Sequence, residues 1–138
     1  PYRPVNRFES LLEDTKELRL VRPEIALIEP CFDVLVRLIE EEVEVVLLAR
    51  PDSHTYFLST YPERSSAMME QDCFTVLEYD DLPPYGTGIL DDRVAISCYV
   101  EDTGMVHALV DTDEAAIREW AQSVYETYTA KAQPVESQ

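Results

Sequence analysis

Residues 43–49, with the sequence VEVVLLA, constrain this chain more than any other stretch. From Val45 the run is continuously apolar, and it follows without a break on residues 29–42, which read as an amphipathic helix. Phe32, Leu35, Leu38 and Ile39 fall on one face of that helix; Asp33, Arg37, Glu40 and Glu41 fall on the other. Pro30 suits its first turn, where a missing N–H costs nothing. A strand that is apolar on both sides needs cover on both sides, which points to a mainly parallel sheet with crossover helices. Residues 73–79 read as a second core strand, with helices over 53–61 and 64–70 in between.

The remaining segments add to that frame. Residues 8–15 read as a short helix, and 17–21 alternate as a strand with Leu18 and Leu20 against Glu17 and Arg19. The cluster Asp80-Asp81-Leu82-Pro83-Pro84-Tyr85-Gly86 is a turn that no helix or central strand tolerates. Residues 87–90 and 94–100 form an antiparallel pair turned by Asp91-Asp92-Arg93, and 105–110 form a further strand. Asp111, Thr112, Asp113 and Glu114 then read as caps and first-turn acids of a long helix. Its apolar residues Ile117, Trp120, Ala121, Val124, Tyr125 and Tyr128 recur at helical spacing, with Trp120 and Val124 assigned to the core. The fold class is an α/β (α+β) sandwich: a mixed, mainly parallel sheet with flanking helices and a long C-terminal amphipathic helix. One domain spans 1–138, ordered over about 7–133, with loose ends over 1–7 and 133–138.

The charge is -17, from 28 acidic and 11 basic side chains. Binding to nucleic-acid backbones through this segment is excluded, because that binding works by Lys and Arg displacing counterions. No apolar run reaches the ~20 residues of a membrane span. Of the basic residues only Lys16 and Lys131 are lysines. An acidic, lysine-poor surface resembles the proteins of salt-in halophilic archaea, where a Debye length of about 3 Å near 1 M salt screens like charges. An ordinary acidic domain is the bland alternative, and a nucleic-acid mimic is disfavoured because the acids are spread over every segment. Cys31, Cys73 and Cys98 are odd in number, widely spaced and apolar in context. They read as buried hydrophobes in a reducing cytoplasm, with no metal or cofactor implied.

The order of motifs from Leu82 onward resembles a known family. Pro84-Tyr85-Gly86, Asp91-Asp92, the acidic turn from Asp102 to Gly104, and Trp120 followed by Tyr125 and Tyr128 are similar to the C-terminal domain of archaeal winged-helix transcriptional regulators. This is the domain named after the methanogenesis (filament) regulatory protein, abundant in halophilic archaea. Asn6-Arg7-Phe8 and VEVVLLA extend the resemblance to nearly the whole chain. It implies an effector or assembly domain, with a winged helix-turn-helix upstream that carries DNA binding and is absent from this sequence. Beginning at Pro1 rather than Met, the chain reads as a piece of something longer. A small-molecule ligand and a homodimer are the partners implied.

The family domain also resembles half of a phospholipase D-like fold, whose enzymes use His-x-Lys-x4-Asp. The equivalent positions here are Tyr85, Thr87 and Asp92, so two of the three chemical groups are missing. The domain therefore reads as non-catalytic; a phosphodiesterase-like hydrolase with a displaced site is the alternative. Arg50 and His54 follow the first core strand at the carboxyl edge, where α/β sheets place ligands, and are candidate contacts for an anion. Arg50, His54, Tyr85, Thr87 and Asp92 form the candidate ligand set. Tyr125 and Tyr128 are the candidate dimer contacts, and His107 reads as structural.

Overall fold

A computed structural model describes residues 3–135. Helix α1 (Arg3–Leu12) leads into strand β1 (Glu17–Val21). Helix α2 (Ile25–Ile28), a single 3-10 turn at Glu29–Cys31 and helix α3 (Phe32–Glu40) then cross to strand β2 (Glu44–Ala49). Helices α4 (Pro51–Thr60) and α5 (Pro62–Met69) cross to β3 (Phe74–Glu78). A meander follows, β4 (Tyr85–Leu90), β5 (Arg93–Tyr99) and β6 (Val106–Thr112), before helix α6 (Ala115–Thr129) and the short β7 (Gln133–Pro134).

The seven strands form one mixed sheet in the order β6-β5-β4-β1-β2-β3-β7. Strands β1, β2 and β3 run parallel, and the pairings around them are antiparallel. The expected α/β sandwich with a mixed sheet is present. Where a mainly parallel sheet was expected, two of the six described pairings are parallel, those among the three strands joined by helical crossovers, and the meander supplies most of the antiparallel ones. Leu18 and Leu20 pair with Val45 and Leu47 of β2, and this face packs on Phe8 and Leu12 of α1 and on Leu35, Leu38 and Ile39 of α3. The opposite face carries α6, placed against β1, β4 and β5. Arg19, which alternates with Leu18 and Leu20, bonds Gln122 of α6 and lies over the Tyr125 ring.

Several boundaries differ from the sequence reading, each for a local reason. The first helix starts at Arg3, so residues 3–7 are not loose, and it ends where Thr15 N–H and hydroxyl turn back onto Leu12 and Leu11 carbonyls. The helix expected over 29–42 begins earlier, at Ile25, and ends at Glu40. Glu42 takes a left-handed φ of 64 and Val43 N–H returns to Leu38 carbonyl, a closure usually marked by glycine and so invisible in the sequence. At the other end Gln133 and Pro134 add a strand to β3, and Val135 N–H bonds Val76 carbonyl, so residues 133–135 are not loose either; residues 1–2 and 136–138 lie outside the described residues.

Asp111 is not a helix cap. It belongs to β6, where Arg7 of α1 and Arg93 of β5 both reach it at 2.8–2.9 Å and hold its carboxyl below the usual range. Trp120 is not core either: it is 38% exposed, and Ala121 is the buried residue of α6. The turn at Asp91-Asp92 is as expected. Asp91 sits at φ 54 and its carboxylate accepts from Lys16 and Glu17 N–H, tying the turn to the start of β1.

Candidate functional site

The chain lays down β1, β2 and β3 in one direction and then returns to place β4 on the far side of β1. Strand order therefore reverses at β1, and open α/β sheets gather ligands outside the carboxyl ends at such a point. Two arginines stand there, each directly after a strand and directly before a proline. Arg22 follows Val21 of β1 and Arg50 follows Ala49 of β2.

Glu24, 4% exposed, lies between them at the start of α2. Arg50 Nη2 donates to both Glu24 carboxylate oxygens at 2.8 and 3.1 Å, and Arg22 Nη2 donates to Oε1 at 3.2 Å. Arg22 Nη1 donates to Pro83 carbonyl at 2.6 Å. The main chain at Arg22 has φ 53, a left-handed conformation that costs a residue with a Cβ about 1–3 kcal/mol.

A buried network holds Arg22 there. Its N–H donates to Leu48 carbonyl at 2.7 Å, and its carbonyl accepts from the Tyr99 hydroxyl at 3.1 Å. That hydroxyl accepts in turn from Glu24 N–H at 3.2 Å and from the Ser97 hydroxyl at 2.7 Å. Burial pushes the Tyr99 phenol up to about 12, so it stays a protonated donor. A register shift between Cys98 and Tyr99 bends β5 at this point. Gly86 makes the close approach possible: a Cβ there would stand 2.3 Å from Ser97 Oγ and 2.7 Å from Arg22 carbonyl oxygen.

Beside this network opens a pocket of about 290 Å³, bounded by Arg22, Glu24 and Arg50 on one side. Residues 100–104, the turn between β5 and β6, bring Glu101 and Asp102 to the other side. The Nε atoms of Arg22 and Arg50 are both buried and have no hydrogen-bond partner among the described residues. A buried donor left without an acceptor costs about 1–3 kcal/mol; these two are closed off from solvent and do not face the pocket.

Of the residues singled out from sequence, Arg50 lies in this pocket and the other four do not. His54 is turned into the protein, with Nε2–H donating to Leu77 carbonyl at 2.8 Å. Burial lowers its pKa, against the bond to Leu77 and the nearby Glu78, and keeps it a neutral donor. It lines a separate apolar cavity of about 50 Å³ among α3, α4, α5 and the sheet. Tyr85 packs its ring on Trp120 at 5.8 Å. Thr87 is buried in β4 opposite Val21. Asp92 is exposed at the other end of β4, with Arg118 at 3.8 Å.

Tyr125 and Tyr128 face inward, toward Arg19 and Tyr79. Arg22, Glu24, Ser97 and Tyr99 escaped sequence reasoning. The available signal was the repetition of Leu-Val-Arg-Pro at 20–23 as Leu-Ala-Arg-Pro at 48–51. Among the described residues no group of three or more His, Cys, Asp or Glu is placed to hold a metal ion. No described helix is long and apolar enough to cross a membrane.

Comparison with known proteins agrees with this architecture. The family model for the methanogenesis regulatory protein FilR1, middle domain, matches residues 1–131. The fold is similar to TrmBL2, described as an archaeal chromatin protein with a novel mode of DNA binding, at a TM-score of 0.75 and 14% identity. That match covers 96% of this chain and 50% of the TrmBL2 chain, so this chain spans half of that protein's length. It is also similar to Nuc of Salmonella typhimurium, a phospholipase D family member, at a TM-score of 0.64 and 10% identity over 96% of this chain and 90% of that one. No curated protein matches in sequence.

Proposed function

Since the chain belongs to the FilR1 middle-domain family, a transcription-regulator family, we propose that it is the non-catalytic effector domain of an archaeal winged helix-turn-helix regulator. In this reading a small molecule enters the pocket between Arg22 and Arg50, and the DNA-reading segment lies ahead of α1. The observation that carries it is the pocket lined by Arg22, Glu24 and Arg50 at the point where strand order reverses. Non-catalysis is supported by the chemistry at the positions equivalent to His-x-Lys-x4-Asp. Tyr85 and Thr87 replace His and Lys, and neither Lys16 nor Lys131 forms an ion pair with Asp92 among the described residues. The reading includes a homodimer, because regulators of palindromic DNA are commonly twofold symmetric.

Adaptation to high salt belongs to the same proposal. A charge of -17 on this chain is tolerable where screening is short-ranged. The described ion pairs all use arginine, so the two lysines do not offset the acids by pairing. Circular dichroism during dialysis from molar to millimolar KCl tests it, with unfolding as the expected result. A fold that survives low salt unchanged removes the halophilic part.

The effector reading is tested on the intact regulator by measuring operator affinity with and without compounds that raise the domain's melting temperature. The expected result is a change of about 5–150-fold that the substitution Arg50→Gln abolishes. Hydrolysis of bis(4-nitrophenyl) phosphate that His54→Ala and Asp92→Asn both abolish would replace it with the hydrolase reading.

A further inference from the structure

The packed side of the sheet is filled unevenly. Among α1, α3 and β1, Leu12, Leu18 and Leu38 are fully withdrawn from water. Under α4 and α5, by contrast, Leu47, Phe57, Phe74 and Val76 stay half-buried around a cavity of about 50 Å³. The residues that α4 buries are polar, Ser53 and His54. His54 Nε2–H donates to Leu77 carbonyl on β3 at 2.8 Å, and the hydroxyls of Tyr56 and Tyr61 donate to the Glu29 carboxylate. These bonds tie α4 to β3 and to the 3-10 turn, and the apolar side chains between the ties leave space.

We propose that this cavity is a binding site for the short alkyl end of an uncharged small molecule. Its lining is separate from that of the pocket at Arg22 and Arg50, and the site does not depend on the effector reading. Charge defines the class of ligand. In a chain with 28 acidic and 11 basic residues, no charged side chain lines this cavity. Its two polar side chains are already engaged, His54 with Leu77 carbonyl and Ser65 with Phe57 carbonyl at 3.0 Å. Nothing there offsets the cost of stripping water from an ion, whereas an alkyl group covers apolar surface that otherwise faces water.

Volume defines the size. A cavity of about 150 Å³ holds a benzene ring, so this one takes an alkyl end of about two to four carbons. Met68 and Met69 both line it, and their unbranched side chains can adjust to the longer of these. The rest of the ligand stays outside, at the half-exposed rim formed by Leu58 and Val135.

The methionines report binding directly, because the third, Met105, lies far along the chain and is 58% exposed. With methyl-13C-methionine in the domain, titration with 1-alkanols from ethanol to octanol in molar KCl should shift the Met68 and Met69 signals saturably. Met105 should not move. Affinity should rise about fourfold for each added methylene. The rise should level off near butanol, once the cavity is full, and butanoate should bind no more tightly than butanol.

Val76→Phe fills the space and should abolish the response. Met69→Ala enlarges the space and should move the levelling to longer chains, read on Met68; it decides the matter alone if Val76→Phe does not fold. Three signals drifting together without saturation, an unbroken gain through octanol, or the same break in Met69→Ala would overturn the proposal. Tighter binding of butanoate than of butanol would overturn the uncharged class.

Discussion

The two faces of the sheet are built on different terms. On one side α1 to α5 enclose Leu18, Leu20, Leu38 and Val45, each almost fully withdrawn from water. On the other α6 lies across β1, β4 and β5 and leaves the meander's outer edge bare. Val110 is 61% exposed, Met105 58% and Val100 44%. In sequence α6 has the cleanest helical periodicity of the chain, yet Ala121 is its buried residue and its aromatic side chains make partial contacts. An apolar stripe says which way a helix faces; how deeply it sinks depends on what it faces. Here it faces Arg19 and the rings of Tyr79 and Tyr85, which are themselves only partly withdrawn from water.

Substitutions on the two faces should separate accordingly, and denaturant melts in high salt measure all of them. The largest loss is expected for Leu38→Ala in α3, about 2–5 kcal/mol, as for any fully buried leucine that leaves a cavity. Gly86→Ala comes next at about 1–3 kcal/mol, because its new methyl runs into Ser97 Oγ and the Arg22 carbonyl. A neutral result would mean that the Arg22 network yields easily. Trp120→Ala on the opposite face should cost only about 1 kcal/mol, chiefly the lost packing on Tyr85. A loss as large as that of Leu38→Ala would erase the distinction between the faces.

Smallest of all is Val110→Ser, within about 0.5 kcal/mol for the isolated chain. Sedimentation of the same variant sharpens the comparison. A shift toward monomer would show that the bare edge is covered by a second copy, and an unchanged distribution would place any dimer elsewhere.

The sequence was most informative where burial and periodicity agree. The run from Val45 to Ala49 specifies a central strand because a strand apolar on both sides has few other uses, and it does lie between two parallel neighbours. Asp91-Asp92 specifies a turn through its own side-chain chemistry. Arg50 was legible as a site residue because it ends that strand. Arg22 was not: its strand is short and alternating, and its role depends on a left-handed backbone held by Tyr99, 77 residues away. Glu24 reads as a loop acid in a chain with 28 of them, and only burial between two guanidinium groups distinguishes it. His54 was misplaced by one assumption, that a residue near the strand end points outward; on α4 its ring turns inward to Leu77 carbonyl instead.

Asp111 gives the meander a further property. Strands β5 and β6 form a hairpin whose open end is tied together by Arg93 and clasped to α1 by Arg7, both on Asp111, while its closed end, residues 100–104, walls the pocket. The hairpin is thus a lever about 20 Å long, from the ~3.3 Å rise of each strand residue. A tilt imposed at its tip reaches the first helix through the two Arg7 bonds to Asp111 and through the packing of α1 on β6. The first helix is therefore yoked to the wall of the pocket that residues 100–104 supply.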